Sequence, residues 1–97
     1  MAALIYTRGA LADLERIFEF LAREDPAAGV AAVDVIREAV SILENHPMIG
    51  RPAEYGLREL VVSRGRSGYV ALYRHLVPED VVLILAIRHQ REAGYQR

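Results

Sequence analysis

The hydrophobic period of this chain changes once, from helical to strand-like, and the change falls at a stretch dense in proline and glycine. Before it, apolar residues recur with a period near 3.6; after it, they recur with a period of 2. A chain with that order must place its helices first and its sheet mostly second. With 97 residues it has room for a single core, so residues 1–97 are expected to form one domain.

Ala3-Leu4-Ile5-Tyr6 reads as a short strand, with Thr7 as the N-cap of the first helix. From Ala10 to Glu24 the apolar residues Leu11, Leu14, Ile17, Phe18 and Leu21 define one buried stripe, opposite a solvated face of Glu15, Arg16, Glu19 and Arg23. Asp25-Pro26 restarts the chain, Asp as N-cap and Pro at the first helical position, where its missing N–H is no loss. The second helix is expected to reach about Asn45, with Val33, Ile36, Val40 and Leu43 inward and Pro47 stopping it. Ala27, Ala28, Gly29, Ala31 and Ala32 keep its first turns thin enough for a neighbour to come close. Two helices joined this tightly predict an antiparallel hairpin.

His46 to Leu57, with Pro47, Gly50, Pro52 and Gly56, reads as a linker. Strands are then expected at Arg58–Val62, Tyr69–His75 and Val81–Arg88, with turns over residues 63–68 and 77–80. The resulting fold is α+β in the order β-α-α-β-β-β, a helical hairpin packed on one face of a small, largely antiparallel sheet. The last strand is apolar at every position from Val81 to Ile87, so neither of its faces suits water. Simple alternation sends Val81, Leu83, Leu85 and Ile87 to the helices. It leaves Val82, Ile84 and Ala86 to be covered by the chain's own ends or by a partner.

The halves of the chain differ in charge. Residues 1–50 hold four arginines against eight acids, net −4, whereas residues 51–97 hold eight arginines against five acids, net +3. The C-terminal half is therefore the one expected to face an anionic partner. Every one of these cations is arginine, whose planar fork suits carboxylate and phosphate. No cysteine is present, which excludes thiolate chemistry and cysteine-ligated metal. The three histidines share neither metal-ligand spacing nor a carboxylate cluster, so neither metal nor cofactor is expected. No stretch resembles an export signal or a membrane span, and a cytoplasmic, membrane-free protein is expected. Arg88, His89, Arg91 and Tyr95 come directly after the most apolar strand. Together with the turn arginines Arg64 and Arg66, they are the groups that could hold phosphate and move a proton without a metal.

Several segments together resemble the RelE/ParE superfamily of type II toxins: residues 44–52 (ENHPMIGRP), 57–62 (LRELVV), 67–74 (SGYVALYR) and 87–95 (IRHQREAGY). The likeness runs from Tyr6 to Tyr95. It implies a small growth-arresting toxin, of the kind associated with plasmid stabilisation and neutralised by a cognate antitoxin, that reaches DNA only through that antitoxin. Within the superfamily, the RelE-like branch cleaves mRNA on the ribosome with basic residues, including an arginine after the Gly-Tyr of the middle strand. Here Gly68-Tyr69 is followed by Val70, and Leu60-Val61-Val62 carries none of the lysines of that branch. The ParE-like branch, which poisons DNA gyrase and needs no such site, fits better and implies a non-enzymatic inhibitor. The target-binding residues expected are Arg64, Arg66, Arg88, Arg91 and Tyr95; the antitoxin-binding ones are Arg58, Arg74, Val82, Ile84 and Arg88. The alternative is a metal-independent endoribonuclease acting on ribosome-bound mRNA through His89, Arg91 and Tyr95.

Overall fold

A computed structural model describes residues 1–62 and 68–91. Its elements are β1 (Ala3–Tyr6), α1 (Arg8–Ala22), α2 (Pro26–Val40), β2 (Arg51–Pro52), β3 (Arg58–Val61), β4 (Tyr69–Leu76) and β5 (Val81–His89). Both expected caps are in place: Thr7 Oγ1 accepts from the Ala10 amide and an Asp25 carboxylate oxygen from that of Ala27. The second helix is shorter than expected, since α2 gives way after Val40 to a 3-10 turn over Ser41–Glu44. Leu43 on that turn is nevertheless fully buried. The thin first turns of α2 do admit a neighbour, because a Cβ on Gly29 would stand 2.9 Å from the Phe18 ring.

The sheet runs β1-β5-β4-β3-β2, with β1 parallel to β5 and every other pair antiparallel. β5 lies between β1 and β4, which is why its sequence is apolar throughout. The linker read over His46–Leu57 contains the two-residue edge strand β2 and a tight turn at Glu54–Gly56.

Strand parity along β5 is the reverse of the one expected from Val81 to Ile84, and as expected at Ile87. The β4–β5 ladder pairs Leu72 with Ala86 and then Tyr73 with Ile84, so Leu85 is the extra residue of a bulge. A bulge switches which side chains share a face. On the N-terminal side of it, Val82 and Ile84 lie beneath the helices, wholly buried, with Ile36, Val40, Leu43 and Tyr73. Beyond it, Ile87 takes the inward place. Val81 and Leu83 are turned to the opposite face, where Leu83 pairs with the half-exposed Ile5 of β1. In α1, Leu11 is 54% exposed and does not join the inward stripe, while Asp13 is buried.

Candidate functional site

Register decides which of the candidate residues can meet. Tyr69 pairs with His89 and Val70 with Arg88, so consecutive residues at the end of β5 point to opposite faces of the sheet. His89 lies on the helix side, its ring edge-on to Tyr69 with centroids 5.4 Å apart. Its Nδ1 accepts the Arg91 amide at 3.1 Å, which leaves Nε2 to carry the proton of the neutral ring. Arg88 lies on the open side with Val70 and turns back, its Nη1 donating to the carbonyls of His89 and Gln90. The contact between His89 and Arg91 is thus made by the backbone amide of Arg91, and the Arg88 side chain starts from the other face of the sheet. Arg64, Arg66 and Tyr95 lie outside the described residues. Among the described residues there is no group of histidines, aspartates and glutamates that could hold a metal ion.

The position of β5 depends on a buried acid of α1 that no sequence motif singled out. Beyond Tyr6, β1 no longer covers the β5 edge, and α1 takes over. Thr7 Oγ1 donates to the Ile84 carbonyl and a buried Asp13 carboxylate oxygen accepts the Ile87 amide at 2.8 Å. Arg16 lies 3.8 Å from the same carboxylate and donates to the Ile87 carbonyl. The strand that carries Arg88 and His89 is therefore held on its free edge by side chains of α1 and its N-cap. A helix-face acid three residues before an arginine gave no sign of this role.

The expected antitoxin-binding arginines divide. Arg58 is half-buried, and its Nη1 donates to the carbonyls of Met48 at 3.2 Å and Gly50 at 2.7 Å. Beside it, the Tyr73 hydroxyl donates to the Pro47 carbonyl at 2.8 Å and accepts the Gly50 amide at 2.9 Å. These two side chains fix residues 47–50 from below. Burial pushes the Tyr73 hydroxyl above its usual pKa, against the opposing effects of the Gly50 hydrogen bond and the Arg58 charge. Arg74, by contrast, is exposed on the open face, with Nη2 on the Tyr55 carbonyl at 3.2 Å. Val82 and Ile84 are inaccessible beneath the helices. The open face instead carries apolar groups that include Ile5, Leu72, Leu83 and Val61, with Arg74 and Arg88 on the same side. A second apolar depression, not foreseen, lies between α2 and β3 and is lined by Val35, Glu38, Ala39, Ile42, Leu60 and Val61.

Comparison with known proteins supplies the context. Residues 4–94 match the family model described as ParE toxin of type II toxin-antitoxin system, parDE. Toxin RelE3 of Caulobacter vibrioides is 39% identical over 80 residues, covering 82% of this chain and 85% of the relative. Toxin RelE2 of the same organism is 36% identical over 89 residues, covering 92% and 96%. Among solved structures, the chromosomal ParDE toxin–antitoxin system from P. aeruginosa superposes with a TM-score of 0.77 at 32% identity, over 92% of this chain and 96% of that one. The RelBE2 toxin–antitoxin complex from Mycobacterium tuberculosis does so with a TM-score of 0.61 at 25% identity, over 92% and 98%.

Proposed function

Because the chain belongs to the ParE toxin family of type II toxin–antitoxin systems, we propose that it arrests growth by poisoning DNA gyrase and is held silent by a cognate antitoxin. One observation carries the choice of gyrase over mRNA. The sheet position where a RelE-like ribonuclease carries its arginine is Val70, which is 2% exposed and so offers no cation to a phosphate. Leu60, Val61 and Val62 beside it are aliphatic as well. In-line cleavage of RNA needs donors aimed at the charge developing on phosphorus, and a site without them loses most of that stabilisation. The second reading, an endoribonuclease, would draw on the His89 imidazole, whose Nδ1 is held by the Arg91 backbone amide, but Arg88 faces away from it.

The antitoxin contact accords with the corrected strand parity. A segment with apolar residues along Ile5 and Leu83 and carboxylates reaching Arg74 and Arg88 complements the open face in both shape and sign. Purified protein assayed in parallel for inhibition of gyrase supercoiling and for ribosome-dependent mRNA cleavage tests the reading. Inhibition without cleavage is the expected result; cleavage without inhibition overturns it.

A further inference from the structure

The outer edge of β5 changes its neighbour halfway along the strand. β1 pairs with Val81–Ile84, and the Thr7 amide then donates to the Ile84 carbonyl at 3.0 Å. The next residue is the Leu85 bulge, and Thr7 sits on it: its hydroxyl lies 3.0 Å from the Ile84 carbonyl and 3.3 Å from that of Leu85. Further along, the Gln90 amide reaches the Gly68 carbonyl on the β4 side. Alternation therefore turns the amide and carbonyl of Ile87 to the other edge, the one that β1 has left.

A parallel neighbour would offer Ile87 one acceptor and one donor. Asp13 and Arg16 offer the same two groups from a helix. The carboxylate accepts the Ile87 amide at 2.8 Å, the guanidinium lies 3.5 Å from the Ile87 carbonyl, and the two side chains approach to 3.8 Å. For packing alone, a carboxylate here is a poor choice. Asp13 is 3% exposed, and a buried ion pair adds little net stability over apolar side chains of similar volume. The best-attested use of such a pair is to fix register.

Register is open to choice at this point of the chain. β5 is apolar at every position from Val81 to Ile87 and has no glycine to mark where an extra residue belongs. With the bulge at Leu85, Ile87 enters the core, Arg88 pairs with Val70 on the open face and His89 meets Tyr69 edge-on. Continuing the ladder from Tyr73–Ile84 without a bulge would instead pair Leu72 with Leu85 and Tyr69 with Arg88. Arg88 would then turn to the helix side and His89 to the open face. We propose that Thr7, Asp13 and Arg16 are positioning residues that lock the bulge at Leu85, and so decide which face of the sheet Arg88 and His89 present to a partner. The effect on binding rests on the reading that the antitoxin takes the open face; the lock itself does not.

The test compares the full chain as wild type, Asp13→Asn, Asp13→Ala and Arg16→Met, with Arg88→Ala as a check on the binding face. Each folded protein is examined by nuclear magnetic resonance for exchange of the Ile87 amide and for the Tyr69–His89 ring contact. Each is also titrated with the purified cognate antitoxin, well below its melting temperature. Asp13→Asn keeps an acceptor for the Ile87 amide, so it should retain the ring contact and bind within about threefold of wild type. Folded Asp13→Ala should exchange the Ile87 amide about tenfold faster or more, lose the ring contact and bind about tenfold more weakly. If Asp13→Ala does not fold, Arg16→Met carries the same expectation, since its side chain is 39% exposed and tolerates replacement. A ring contact and an affinity that both stay at wild type in the folded variant overturn the lock. So does an Asp13→Asn protein that loses the contact, because its side chain still accepts. Wild-type affinity in Arg88→Ala means that the antitoxin does not use this face; that reading then fails alone, and exchange and ring contact decide the lock. A lost contact with unchanged affinity, in a complex that does need Arg88, overturns the positioning role.

Discussion

At the scale of single residues, the most consequential side chain is Tyr73, which is both a core ring and the holder of a surface loop. Its hydroxyl satisfies the buried Gly50 amide and is itself satisfied by Pro47. Tyr73→Phe keeps the ring and strands that amide, at a cost of about 1–3 kcal/mol. For a domain of this size that is a fall of roughly 4–8 °C in melting temperature per kcal/mol, measurable by thermal denaturation. An unchanged melting temperature would mean that the loop is held by Arg58 alone. The buried phenols also set an alkaline limit. Tyr6, Tyr69 and Tyr73 all have pKa values raised above 10.0, chiefly by burial, so the fold favours their neutral forms. Groups of this kind contribute stability that is complete below the unfolded value of 10.0 and is lost as pH rises through the higher folded values. The denaturation midpoint should therefore hold up to about pH 10 and fall beyond it. Tyrosinate absorbance should rise at higher pH in the folded chain than in the denatured one; coincident titrations would contradict this.

At the scale of elements, strand and helix positions were legible because each rests on a local signal. Thr7 and Asp25 announce helix starts, period-2 runs announce β3 and β4, and an unbroken apolar run announces β5. The faces of β5 were not legible, for a physical reason. A strand apolar at every position carries no alternation, and the bulge at Leu85 reverses parity without a glycine to mark it. The same blindness covered Asp13, whose acceptor role exists only because β1 ends before β5 does. The bundle of donors expected at the end of β5 was legible as a set of residues but not as a site, since alternation sends Arg88 and His89 to different faces. Truncation separates the two parities. Ile84→Ala should cost about 2–5 kcal/mol by opening a cavity in the core, and Leu83→Ala distinctly less. Chemical denaturation of both variants checks this, and a larger loss at Leu83 would restore the simple alternation.

At the scale of the whole molecule, the helical hairpin covers one face of the sheet and leaves the other open. The sheet face opposite the helices joins apolar Ile5 and Leu83 to Arg74 and Arg88, and suits an acidic, amphipathic segment. The central claim is that this chain acts on gyrase. It is tested most directly by incubating purified gyrase and supercoiled DNA with the protein and scoring trapped, enzyme-linked cleaved DNA. The account predicts that cleaved DNA accumulates with protein concentration and disappears when stoichiometric antitoxin is added first. No cleaved DNA at any concentration, from a preparation that cuts mRNA on ribosomes, would contradict it.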